Sequence, residues 1–151
     1  ALTLHTNVGF VTSAPTADPA GSDTTSDGSA FVVKDTAPES GTITEVGWYK
    51  GSGSTSSNTQ VGLYAADGTS VPGEAGTRLQ VTGDQASGTS AGWIVFSSLS
   101  WSITKDTVYW IGMQQDSHAA SSTIDSATSG GSGIDTRSSQ TSLPNPFGVE
   151  L

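Results

Sequence analysis

The sequence predicts an all-β domain, an antiparallel β-sandwich with essentially no helix, and three observations carry that prediction. Short runs of β-branched and aromatic residues recur between stretches rich in Gly, Ser and Thr, as strands recur between turns. No stretch sets apolar residues at i, i+3, i+4 and i+7 over three turns. No strand–helix alternation of the kind that builds a parallel sheet is present. At 151 residues the chain suits one domain, 1–151, read as an N-terminal strand plus extended arm over 1–29 and a sandwich core over 30–151.

Leu2 to Thr12 has apolar residues at even positions (Leu2, Leu4, Val8, Phe10), a period close to 2 that predicts a strand. Ser13 to Ser29 carries Pro15, Pro19, Gly21 and Gly28 with no periodic apolar residue, which predicts a long loop or arm able to reach a neighbouring subunit. Ala30 to Lys34 is a short strand, and Asp35 to Gly41 with Pro38 a turn. Gly41 to Lys50 (GTITEVGWYK) is strongly strand-like, but the step from Ile43 to Val46 breaks alternation and predicts a bulge or a strand buried on both faces. Gln60 to Tyr64 (QVGLY) turns Val61 and Leu63 to one face and is expected to pair with the preceding strand.

Asp67-Gly68 marks a turn, and Thr77 to Thr82 offers a strand through Leu79 and Val81. Trp93 to Phe96 and Leu99 to Ile103 bracket Ser97-Ser98, and Leu99, Trp101 and Ile103 share a face. Thr107 to Gln115 (TVYWIGMQQ) is apolar on both faces, as a central sandwich strand would be. Ala119 to Ser142 has only Ile124 and Ile134 as aliphatic anchors, which predicts two weak edge strands, and Phe147 in LPNPFGVEL reads as a hydrophobic plug.

Four motifs, GTITEVGWY, AGWIVF, TVYWIGMQ and SLPNPF, follow one another from Gly41 to Phe147. Together they resemble jelly-roll-like β-sandwich domains of bacteriophage and archaeal-virus structural proteins and of secreted bacterial repeat proteins. The resemblance covers about two thirds of the chain, omits residues 1–40, and refines the expected fold to an antiparallel jelly-roll-like β-sandwich. It implies that the YWIG strand lies in the core opposite the GWY strand, with the SLPNPF tail closing one end. Trp48, Trp93, Tyr109, Trp110 and Phe147 would then be core residues.

Composition narrows the setting. Charged residues are 13% of the chain, polarity comes mainly from 25 Ser and 21 Thr, and the formal net charge is −9. Such hydroxyl-rich, charge-poor surfaces suit a virion exterior or an extracellular or cell-surface location, where Ser and Thr could also carry O-linked sugars. The five cations, Lys34, Lys50, Arg78, Lys105 and Arg137, are scattered, so no phosphate-neutralising patch exists and nucleic acid is not an expected partner. The absence of cysteine removes disulfides and thiolate chemistry. No apolar run is long enough to span a bilayer, the N-terminus lacks a signal-peptide pattern, and no Asn-x-Ser/Thr acceptor occurs.

Groups that could catalyse are sparse. His5 and His118 stand far apart in sequence, and neither a G-x-S-x-G elbow nor H-E-x-x-H is present. A spatial Ser–His–Asp triad or a carboxylate pair involving Glu45 or Asp116 stays open, but solvated loop and strand-edge residues account for these groups more simply. No catalytic residue and no required cofactor is expected. Asp18, Asp23, Asp27 and Asp35 offer hard oxygen ligands for Ca²⁺, though their spacing matches no calcium loop and a solvated acidic arm is the plainer reading. Among Trp48, Tyr49, Tyr64, Trp101 and Trp110, the rings expected to be accessible to a glycan are Tyr49 and Tyr64.

The expected function is therefore a non-enzymatic structural or assembly protein on a virion exterior, a capsid decoration or tail-associated subunit. Its expected partners are copies of itself or a capsid, tail or filament protein, engaged through Leu2, Leu4, Val8 and Phe10 of the arm. A secreted carbohydrate-binding or adhesion module, and an extracellular filament subunit that exchanges its N-terminal strand, are the alternatives.

Overall fold

The structure is a computed structural model that describes residues 9–11, 15–19, 21–51, 55–117, 122–126 and 134–148. The described residues contain no helix. Twelve strands follow in order: β1 Gly21–Thr25, β2 Ser29–Thr36, β3 Gly41–Ile43, β4 Val46–Lys50, β5 Asn58–Ala65, β6 Arg78–Val81, β7 Gln85–Ala86, β8 Gly92–Phe96, β9 Trp101–Ile103, β10 Val108–Asp116, β11 Ser122–Ser126 and β12 Ile134–Arg137. They form a four-stranded sheet of order β1-β11-β4-β8 and a six-stranded sheet of order β12-β2-β10-β5-β6 with β7 on β5, beside a small β3-β9 pair. The pairing is antiparallel throughout.

Strand alternation explains where the core lies. Val46 and Trp48 of β4 and Phe96 of β8 meet Val61 and Leu63 of β5 and Tyr109 and Met113 of β10 in one buried cluster between the two sheets. Trp101 joins this cluster, and Leu99 and Ile103 pack against it, so the shared face predicted for that segment is present. The opposite residues of the six-stranded sheet, Ala30 and Val32 of β2, Tyr64 of β5 and Trp110 of β10, form a second buried cluster with Ala75, Leu143 and Phe147. The sheet is thus covered on both faces, by the other sheet and by its own C-terminal segment. That is why TVYWIGMQQ reads as apolar on both sides.

Several elements differ from expectation. Gly9 to Val11 belong to no strand, and Phe10 is buried in the core, its ring edge-to-face with Tyr109 at 6.1 Å. Its amide donates to Asp35 Oδ2 at 2.8 Å. Phe10 is therefore a plug of its own domain rather than part of a reaching arm, while Leu2, Leu4 and Val8 lie outside the described residues. Gly21–Thr25, expected as loop, is a strand paired with β11 from Gly21↔Ser126 to Thr25↔Ser122. The sandwich therefore begins before residue 30. This pairing rests on backbone hydrogen bonds, which leave no hydrophobic alternation to read.

The irregularity at Ile43–Val46 is neither a bulge nor one doubly buried strand but a break: β3 pairs β9, and β4 pairs β8 and β11. β4 and β5 do not pair with each other, because the chain crosses from one sheet to the other between them. Of the two expected edge strands, β12 is at an edge whereas β11 lies between β1 and β4.

Candidate binding platform on the four-stranded sheet

On β4, Val46, Trp48 and Lys50 are buried, while exposed Gly47 and half-buried Tyr49 take the alternate positions on the outer face. On β8, Ile94 and Phe96 pack inward, leaving Trp93 and Val95 outward. The register sets Tyr49 opposite Trp93 and Gly47 opposite Val95. The Tyr49 and Trp93 rings are 5.5 Å apart and nearly perpendicular at 88°, a favoured aromatic geometry. Trp93 Nε1 donates to the Ala17 carbonyl at 3.2 Å, which pins one end of the indole. Gly47 is exposed, and a β-carbon there would stand in ordinary contact at 3.5 Å from the six-membered ring of Trp93 and 3.6 Å from Val95, so a longer side chain at this position would lie beside the ring. Val95 is 40% exposed, and exposed Thr16, Ala17 and Asp18 edge the patch.

The resemblance put Trp93 in the core, but it is half-buried and outward-facing. Trp48, Tyr109, Trp110 and Phe147 are buried. Of the two tyrosines expected to be accessible, only Tyr49 reaches the surface. Tyr64 is fully buried, edge-to-face with Phe147 at 5.4 Å, and its hydroxyl donates to the Pro144 carbonyl at 2.8 Å. Its ring cannot stack on a ligand, because the C-terminal segment covers it. Burial pushes its phenol well above the ordinary value, and the Arg78 guanidinium offsets part of that rise. The outward pairing of Trp93 with Tyr49 was not legible, because it needs the register of two strands to be known at residues 44 positions apart (49↔93, with 48↔94 in the same ladder).

The acidic candidates do not converge. Asp27 precedes β2 and Asp35 lies near its far end, Asp18 is exposed in the segment beside Trp93, and Asp23 lies on β1 with its side chain outside the described set. Asp35 is engaged by the amides of Phe10 and Thr36. Among the described residues no three His, Asp or Glu side chains gather as metal ligands, and His5 and His118 fall outside those residues.

A buried polar group escaped the sequence reading. Lys50 is fully buried at the end of β4, and its ammonium donates to the Thr55 carbonyl at 2.7 Å, the Gly88 carbonyl at 2.5 Å and Ser87 Oγ at 3.5 Å. Ser57 and Ser87 hydroxyls meet at 3.1 Å beside it, and Gln115 Nε2 donates to Thr25 Oγ1 at the same end of the core. Burial pulls the Lys50 amine below its ordinary value. The cage ties β4 to the 55–57 and 87–88 segments, which is a structural task.

On the six-stranded side a shallow cleft of about 490 Å³ is lined by Lys34, Thr36, Asp67, Thr107 and Tyr109 among others. Lys34 Nζ lies 5.5 Å from the Trp110 ring centroid. Both Asp67 oxygens accept from Thr77, its backbone amide and its hydroxyl, each at 2.7 Å, which holds the Asp67 carboxyl below its usual range. Buried Glu74 accepts from the Ser70 amide at 2.7 Å through Oε1, and its Oε2 has no hydrogen-bond partner.

Compared with protein-family models, with curated proteins and with solved structures, the chain matches none.

Proposed function

We infer that the protein is a non-enzymatic assembly module of jelly-roll type on a virion exterior, a capsid decoration or tail-associated subunit acting through contacts with its own copies or with a capsid or tail protein. The observation that carries this reading is strand order. With β3, β7, β9 and β12 set aside, one sheet reads β1-β11-β4-β8 and the facing sheet β2-β10-β5-β6. That order supports a reading as two interleaved Greek keys, an architecture used for viral shells.

The edges supply a means of contact. β6 and β8 end their respective sheets, and the Gln85 side-chain amide on β7 donates to the Val95 carbonyl at 3.3 Å, linking the two edges. Leu79, Val81 and Val95 are exposed along them. An edge with apolar side chains is a template for another chain.

The test is electron microscopy and light scattering of the purified protein. Changing both Leu79 and Val81 to Lys should abolish assembly while the far-ultraviolet circular dichroism stays that of the wild type. A second variant with Leu2, Leu4 and Val8 changed to Ser examines the N-terminal strand in the same way. Assembly that persists in both variants would overturn the reading.

A further inference from the structure

We propose that the outer face of the four-stranded sheet is a binding site for an uncharged saccharide, with Trp93 as the platform, Tyr49 as the upright wall and Gly47 as the floor beside them. The C–H face of a pyranose is apolar and slightly positive, and an indole face is its complement. Trp93 is suited to present such a face because it is held before any ligand arrives, by its hydrogen bond to Ala17 and its perpendicular contact with Tyr49. Little conformational freedom is then lost on binding. Exposed Gly47 leaves the space beside the indole that a larger residue would fill. Exposed Thr16 and Asp18 border the indole nitrogen and can take up sugar hydroxyls. Asp18 and the net charge of −9 also set the ligand class, since an anionic glycan would be repelled.

β8 carries both Trp93 and one of the edges invoked for assembly, so the two ideas are separated by their variants: Leu79 and Val81 on β6 probe assembly, whereas Trp93 and Gly47 probe binding. The probe is a panel of neutral and anionic oligosaccharides presented to the full chain, followed by titration of any binder under Trp emission. Saturable binding of a neutral member is expected, weakened on the order of tenfold or more in Trp93→Ala. Gly47→Gln gives the control for folding. Its β-carbon meets only ordinary contacts of 3.4–3.6 Å, so the strand should form as before while the longer side chain lies across the platform. It should lose binding to a similar degree, unfold at the same urea concentration and still assemble. Silence across the neutral glycans, a preference for anionic ones, or undiminished binding by Gly47→Gln would each overturn the proposal.

Discussion

The outer faces of the two sheets start from similar material and end differently. Each carries a tyrosine beside a tryptophan on neighbouring strands, Tyr64 opposite Trp110 on one and Tyr49 opposite Trp93 on the other. On the six-stranded sheet Leu143 and Phe147 close over the rings, whereas on the four-stranded sheet the rings stay half-buried beside Gly47 and Val95. An aromatic pair on a strand therefore becomes core or surface according to whether a distant piece of chain comes to cover it.

Removing the cover should have the largest effect. Phe147→Ala deletes a fully buried ring and should cost about 3–5 kcal/mol in urea unfolding. A loss under about 1 kcal/mol would mean that the segment merely rests on the sheet.

Next comes a pair of glycine substitutions, one on each face. A β-carbon at Gly62 would lie 2.8 Å from Leu143 Cδ1 and 2.9 Å from the Gln80 carbonyl, so Gly62→Ala should cost about 1–3 kcal/mol. The same change at Gly47 should be neutral or stabilising by up to about 1 kcal/mol, because Ala suits a strand better than Gly and its β-carbon would make only ordinary contacts of 3.4–3.6 Å. Equal effects at the two positions would erase the distinction between the faces.

The smallest effect is that of a single hydroxyl. Tyr64→Phe leaves the Pro144 carbonyl without its donor and should cost about 1 kcal/mol at neutral pH. Because the folded-state phenol titrates above its unfolded value, its contribution is complete below about pH 10 and is lost as pH rises further. The wild type should thus fall towards the variant in stability above that pH. Lys50, whose shift acts in the opposite sense, is common to both proteins and cancels in the difference. A gap that is constant through the alkaline range would contradict the burial of Tyr64.

How much of this could be read from sequence depended on whether local pattern or distant partner decided the outcome. The two-faced β10, the shared face of Leu99, Trp101 and Ile103, and the Phe147 plug were legible, because burial left a periodic apolar signature in each. β1 was not, since a strand such as GSDTT is held by backbone pairing and has no apolar signature. The expected pairing of β4 with β5 failed because adjacency in sequence does not distinguish a hairpin from a crossing between sheets. The burial of Lys50 depended on carbonyls contributed by residues 55 and 88, and that of Tyr64 on a tail some eighty positions away. Half of the candidate platform, Tyr49, was found by residue type alone. Trp93 needed the ladder.

Phe10 and Phe147 grip the same end of the six-stranded sheet from opposite faces, one against Tyr109 and the other against Tyr64, while the Lys50 cage sits at the far end. Residues 10 and 147 are thereby brought to one pole. The 55–57 and 87–88 segments lie away from that pole, where buried Ser57 and Ser87 and the Lys50 ammonium hold the other end of the sandwich together.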